Sequence, residues 1–150
     1  MAQDEFAIIE RYFSNIGKPA GNIALGIGDD AAVVDVPPTE QLVVSMDTLV
    51  GGVHFPLDTS PADIGHKALA VNLSDLAAMA ATPAWFLLSL TLPQNDADWL
   101  HQFASGLSQT AETFGLQLIG GDTCQGELSI SIQIAGLVPA ARYITRRHAS

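Results

Sequence analysis

The 150-residue chain has one cysteine, Cys124, and only six Lys or Arg residues against 16 Asp or Glu. A single cysteine excludes an internal disulfide and agrees with a reducing compartment. With no base nearby in sequence and no CxxC partner, Cys124 reads as unreactive. The formal net charge of −10 leaves no basic footprint, so no nucleic-acid partner is expected: a polyanion would be repelled at long range. No apolar run reaches the roughly 20 residues of a membrane helix; the longest, residues 84–92, is strand-sized. The acidic start Met1-Ala2-Gln3-Asp4-Glu5 lacks the basic and apolar regions of a signal peptide. No membrane association is expected, and the expected compartment is the cytoplasm.

What is present is a globular composition, with 48% hydrophobic and 15% charged residues, and a length that fits one domain spanning residues 1–150. Residues 5–13 read as a short amphipathic helix with Phe6, Ile9 and Phe13 on one face, ended by Gly17 and Pro19. Residues 31–36 and 42–47 read as strands, followed by a Gly- and Pro-punctuated loop, 50–61, that carries His54. Ser60, Pro61 and Asp63 form a helix start, as cap, first helical residue and acid at N3. The helix they open is expected to run to about residue 81 and, being Ala-, Leu-, Val- and Met-rich, to be buried over most of its surface. Residues 85–92 read as a strand, 96–114 as a second long helix with Trp99, Phe103, Leu107 and Phe114 as its apolar residues, ended by Gly115, and 116–119 as a short strand. Residues 128–138 are the clearest strand: Leu128, Ile130, Ile132 and Ile134 alternate with Ser129, Ser131 and Gln133. Helices and strands are mixed without the regular alternation of a doubly wound sheet, which predicts an α+β fold: a mixed sheet of about four main strands packed by two long helices. The mildly polar side of the last strand suggests that another chain or domain covers the sheet.

Four short acidic motifs punctuate these elements: Gly28-Asp29-Asp30-Ala31, Ser45-Met46-Asp47-Thr48, Asn72-Leu73-Ser74-Asp75 and Gly120-Gly121-Asp122-Thr123. Carboxylates are hard oxygen ligands and suit Mg²⁺, which often arrives bridged to substrate phosphates. Taken singly, each motif has a plainer reading. Gly26 to Ala31 superficially matches a dinucleotide fingerprint, but a strand follows it where that motif needs a helix, and a Gly-Asp turn explains it. Asp47 at a strand end reads equally as a loop cap, and Gly120-Gly121-Asp122 as a bulge or hairpin signal. Asp75 is the most telling. Asp is a poor helix-interior residue, and an unpaired buried carboxylate costs several kcal/mol (order of magnitude), so Asp75 is either exposed or compensated by a cation. Lys67, two turns earlier, is too far around the helix to pair with it. If Asp29, Asp30, Asp47, Asp75 and Asp122 cluster, their mutual repulsion, about 1–4 kcal/mol per pair at ~4 Å, demands cations. Loop His54 could meet a substrate phosphate or simply be solvated. Arg146 and Arg147 could bind phosphate or form a solvated tail.

These motifs together resemble the thiamine-monophosphate kinase family, within the aminoimidazole ribonucleotide synthetase-like superfamily. The resemblance runs from Glu5-Phe6 through Gly26-Ile27-Gly28-Asp29-Asp30-Ala31, Asp47-Thr48-Leu49-Val50, His54-Phe55, Pro61-Ala62-Asp63, the run from Lys67 to Met79, and Gly120-Gly121-Asp122-Thr123, to Thr145-Arg146. It implies transfer of the ATP γ-phosphoryl to thiamine phosphate, with several Mg²⁺ ions. It implies metal ligands at Asp30, Ser45, Met46, Asp47, Asp75 and Asp122, ATP contacts at Gly121, Asp122 and Arg146, and a substrate contact at His54. No covalent nucleophile is implied. The family usually has Thr where this chain has Met46, and a thioether is a poor Mg²⁺ ligand, so only the Met46 carbonyl could serve. The resemblance also implies a homodimer in which the sheets of two chains join into a β-barrel, and a C-terminal domain that is not within these residues. A relative acting on another phosphoryl acceptor and a non-catalytic dimerisation module are the alternative readings.

Overall fold

A computed structural model describes residues 5, 7–17 and 22–148. Phe6 and Pro19, expected to line and to end the first helix, lie outside the described residues. Four strands form the main sheet: β3 (Glu40–Val50), β4 (Thr82–Leu92), β5 (Gln117–Gln125) and β6 (Ser129–Pro139), in the spatial order β3-β6-β4-β5. The β3/β6 and β6/β4 pairs are antiparallel and β4/β5 is parallel. Two shorter strands, β1 (Ile23–Leu25) and β2 (Val33–Val34), pair with each other. Helices α1 (Pro61–Ala78) and α2 (Ala97–Phe114) lie against each other and against one face of the main sheet. This is the expected α+β architecture.

The helix boundaries follow from the caps read in the sequence. Ser60 accepts a hydrogen bond from the Asp63 N–H at 3.2 Å, with Pro61 as the first helical residue. Asp96 accepts from the Trp99 N–H at 3.2 Å, and Gly115 ends α2 in the left-handed conformation, φ 70°. The first helix covers the expected span among the described residues: Glu5, Ala7 and Ile8 are α-helical and Ile9–Phe13 continue as a π-helical turn.

The core lies between the helices and one sheet face. Phe86, Leu88 and Leu90 of β4 and Ile130, Ile132 and Ile134 of β6 pack with Leu69 and Leu76 of α1 and Leu100, Phe103 and Leu107 of α2. The alternation of Ile130, Ile132 and Ile134 with Ser129, Ser131 and Gln133 is kept, and it ends at Ala135, which is buried on the opposite face. The helices approach closely at two glycines. A Cβ on Gly106 would stand 2.1 Å from the Ala62 carbonyl oxygen, and one on Gly65 2.6 Å from that of Phe103.

Two expectations are corrected. α1 buries one stripe, from Ile64 and Gly65 through Ala68, Leu69, Asn72 and Leu73 to Leu76, and leaves His66, Lys67, Ser74, Asp75, Ala77 and Ala78 exposed. Alanine tolerates either side, so an Ala-rich helix looks more buried in sequence than it is. Phe114, expected on the apolar face of α2, is 50% exposed.

The opposite sheet face is only partly covered. The β1–β2 pair packs Ile23, Ala32 and Val34 over Trp85, Ile119 and Ala135. Toward β3 the same face is bare: Val44 is 47% and Met46 62% exposed.

Candidate functional site

The sheet order sorts the acidic motifs into two groups. On β3, alternation turns Ser45, Asp47 and Leu49 toward the helix-covered face and Val44, Met46 and Thr48 toward the bare one. α1 runs past this edge, and Ser45 Oγ donates a hydrogen bond to Asp75 Oδ2 at 3.2 Å. Asp47 stands beside Asp75. Burial, then the hydrogen bond with Asp75, then the Asp75 charge hold the Asp47 carboxyl above its ordinary range. All three causes act in one direction, and no basic group offsets them.

Asp75 itself is exposed. Of the two outcomes left open by its mid-helix position, the structure has exposure; what singles Asp75 out is its company, Ser45 and Asp47. Met46 is in sequence between those two residues, yet its thioether points to the other side of the sheet. The thioether is therefore kept away from Ser45, Asp47 and Asp75.

The second group sits on the far edge. Asp29, Asp30, Gly120, Gly121, Asp122 and Thr123 line a cavity of about 420 Å³ whose other walls include Phe13, Trp85 and Leu87. The Asp30 N–H donates to Asp29 Oδ1 at 2.9 Å, which makes this tip a self-bonded turn. β5 runs through Gly120-Gly121-Asp122 instead of stopping before it, with a register shift against β4 between Phe86 and Leu87. Gly121 has φ 144°, and a Cβ there would lie 1.7 Å from the Leu88 carbonyl oxygen. Only glycine allows that approach. Asp122 then pairs in register with Ser89, on the face away from the helices.

β3 and β5 are the two edges of the sheet, three strand spacings or about 14 Å apart, and Asp47 and Asp122 point to opposite faces. The structure thus brings Ser45, Asp47 and Asp75 together, brings Asp30 to Gly121 and Asp122, and keeps the two groups apart. Among the described residues no group of three or more His, Cys, Asp or Glu is placed to hold a metal ion. The single acidic cluster envisaged from the sequence is not formed within one chain.

His54 follows the β3 edge in a tight loop. Its Nδ1 accepts a hydrogen bond from the Val50 N–H at 2.8 Å, and Lys67 Nζ donates to its carbonyl oxygen. The neutral ring therefore carries its proton on Nε2, free to donate outward. Lys67 was legible only as a basic residue too far from Asp75; its signal was being one of six basic residues, set in an apolar helix. Arg146 is exposed in a short 3-10 turn (Arg146–His148). The Ile144 N–H donates to the Met79 carbonyl at 3.2 Å, which holds the segment leading to Arg146 at the C-terminal end of α1, one turn past Asp75. Arg147 is also exposed.

An α+β domain with a helix-backed mixed sheet and carboxylates at both sheet edges defines a class, and the class is recognisable. Residues 28–138 match the family of AIR synthase related proteins, N-terminal domain, and the chain belongs to that family. Within it, the chain is similar to thiamine-monophosphate kinases. The Escherichia coli (strain K12) enzyme is 50% identical over 146 residues, covering 97% of this chain and 45% of that protein. The crystal structure of thiamine-monophosphate kinase from Stenotrophomonas maltophilia K279a is 51% identical, with a TM-score of 0.80 over 84% of this chain and 40% of that one. The structure of AaThiL complexed with AMPPCP and TMP is 31% identical, with a TM-score of 0.69 over 80% of this chain and 38% of that one. The chain spans less than half the length of the curated relatives it matches. No helix among the described residues is long and apolar enough to cross a membrane.

Proposed function

We propose that this chain is the metal- and nucleotide-contacting N-terminal part of a cytoplasmic thiamine-phosphate kinase, which transfers the γ-phosphoryl of ATP to thiamine phosphate. The observation that carries this reading is the Ser45–Asp75–Asp47 constellation on the β3 edge. Its donors are all oxygen, and the raised Asp47 carboxyl marks negative charge left uncompensated. Both features fit a hard divalent cation such as Mg²⁺. When bound, Mg²⁺ ions supply bridges to phosphate oxygens and neutralise their charge.

In this reading Asp47, Asp75, the Ser45 hydroxyl and the Met46 carbonyl hold metal at the β3 edge, and Asp30 and Asp122 hold it at the β5 edge. Gly121 and Asp122 meet ATP through backbone that no side chain crowds, and Arg146 adds a guanidinium to its phosphates. His54 donates Nε2–H to the phosphate of thiamine phosphate. The terminal phosphate oxygen of thiamine phosphate attacks the γ-phosphorus in line, and the bond to ADP breaks. The chain's part in this is positioning and charge neutralisation, since no side chain among the described residues is placed as a covalent nucleophile.

The bare apolar face at β3, with Val44 and Met46 exposed, supports a homodimer. Two sheets closing bare face to bare face into one barrel form two seams. If each seam sets β3 of one copy against β5 of the other, the strands that carry Asp47 and Asp122 become neighbours across the seam, with the two side chains still on opposite faces of the joined sheet. The exposed Val44 and Met46 would then be covered.

The test is an assay coupling ADP formation to thiamine phosphate, on the protein expressed from its full reading frame. Expected is ADP release that needs thiamine phosphate and stops with EDTA. ADP formation indifferent to thiamine phosphate would remove the assignment.

A further inference from the structure

The loop after β3 is tied to its own strand at both ends of Val50. The Val50 carbonyl accepts from the His54 N–H at 2.9 Å and from the Val53 N–H at 3.1 Å, and the Val50 N–H donates to His54 Nδ1 at 2.8 Å. The Gly52 N–H closes the turn onto the Phe55 carbonyl at 2.8 Å, and Phe55 is buried. One group reaches in from outside: Lys67, on α1, donates its ammonium to the His54 carbonyl. In a chain with 16 acidic residues, Lys67 makes no ion pair among the described residues and is held on a carbonyl instead.

We propose that Lys67 is a positioning residue for His54: by holding the His54 backbone it keeps the ring on Val50 and so fixes Nε2–H as the outward donor. This rests on the reading of His54 as a contact to the phosphate of thiamine phosphate. An imidazole in an untied loop exchanges its proton between the two nitrogens and turns about its side-chain bonds. Here the backbone N–H of Val50 occupies Nδ1, which leaves a single tautomer able to hydrogen-bond on both sides. That tautomer donates to an anion without first having to be selected, and preorganisation of this kind lowers the cost of binding. Because Lys67 reaches the backbone and not the ring, its removal alters the ring's freedom without removing any group that meets the ligand.

The test uses the protein expressed from its full reading frame, with ¹⁵N-labelled histidine, at a pH where the ring nitrogen resonances themselves report the neutral form. Wild type is expected to show a His54 Nδ1 resonance typical of a hydrogen-bonded acceptor, a slowly exchanging Val50 amide, and an Nε2 resonance that shifts to saturation on titration with thiamine phosphate. Lys67→Met should move Nδ1 toward the averaged position of a free ring and speed exchange at Val50 about tenfold or more, with β6 amides unchanged as the control for folding. The thiamine phosphate concentration at half-saturation should rise about tenfold, the usual scale for losing one charge-assisted contact. Lys67→Arg should restore both.

His54→Asn and His54→Gln separate the two ring nitrogens. Asn keeps an acceptor for Val50 without the outward donor, while Gln offers the donor without the acceptor. On either background Lys67→Met should add little to the affinity loss, as coupled residues do in a double-mutant cycle. An Nδ1 resonance and a Val50 exchange rate unchanged in Lys67→Met would overturn the positioning role alone. So would a shifted ring with unaltered affinity. A wild-type His54 that ignores saturating thiamine phosphate would overturn the reading of the site, and the positioning role with it.

Discussion

Ser45 Oγ and Asp75 Oδ2, thirty residues apart in sequence, meet at 3.2 Å where the middle of β3 passes the last turns of α1. The contact joins an edge strand to an exposed helical acid, so Asp75 can be changed without disturbing the core. Asp75→Asn keeps the shape and the hydrogen bond but removes the charge. The expected outcome is a folded protein, as stable as wild type or up to about 1 kcal/mol more stable because the repulsion with Asp47 is relieved, that has lost most thiamine-phosphate kinase activity. Urea denaturation and the coupled ADP assay measure the two halves. A folded variant with wild-type turnover rules out Asp75 as a ligand.

Asp47 gives a pH dependence whose sign is fixed by its raised carboxyl. A group that binds its proton more tightly in the folded state contributes stability below its unfolded value and loses it as pH rises toward the folded one. Without metal, Asp47→Asn should therefore match wild type under acid conditions, where Asp47 is protonated in both states. It should become the more stable protein by about 1 kcal/mol at neutral pH, the scale for two nearby charges in largely aqueous surroundings. Millimolar Mg²⁺ should reverse that order by stabilising only the wild type. Denaturant midpoints across pH, with EDTA and with Mg²⁺, test this.

Gly121 and Gly106 are both required by backbone contact, but for different ends. Gly106→Ala pushes α2 off the Ala62 carbonyl and should cost about 3 kcal/mol or more, in the range of overpacked core sites. Gly121→Ala combines φ 144° with a 1.7 Å approach to the Leu88 carbonyl oxygen and should displace β5. Its effect on ATP affinity should exceed that of Gly106→Ala at equal loss of stability. Denaturation and nucleotide titration, run side by side, distinguish the two.

Met46 tests the barrel. Its side chain is exposed on the bare sheet face, away from Asp47, so Met46→Lys should leave the monomer fold unaltered. A charge at the centre of an apolar interface should dissociate the proposed homodimer, a shift visible by sedimentation velocity. Persistence of a Met46→Lys dimer would place the interface elsewhere.

Much of the fold was legible because its signals are local. Ser60 and Gly115 mark helix ends by completing orphan backbone groups. Residues 128–138 announce a half-buried strand by alternation alone. The length of β5 was missed because Gly120 and Gly121 read as a stop, whereas the chain uses them to stay close to β4 through a register shift. β1 was missed because three residues carry no period. At the site, the residue types were legible and their grouping was not. Whether Asp75 was exposed or buried beside a cation stayed open because alanine-rich sequence does not reveal which side of a helix is wet.

By itself, then, the sequence determined which residues could serve a phosphate and metal chemistry: carboxylates at strand ends, glycines beside them, almost no competing cations, and element ends written in cap residues. Tertiary structure alone decided how these were distributed. Strand order is a long-range choice that no local pattern encodes, and the order β3-β6-β4-β5 sends Asp47 and Asp122 to opposite edges. Alternation about each strand then sends them to opposite faces. Asp75 joins Asp47 only because α1 crosses back over β3, and Lys67, thirteen residues on from His54, reaches its carbonyl only because the helix returns past that loop.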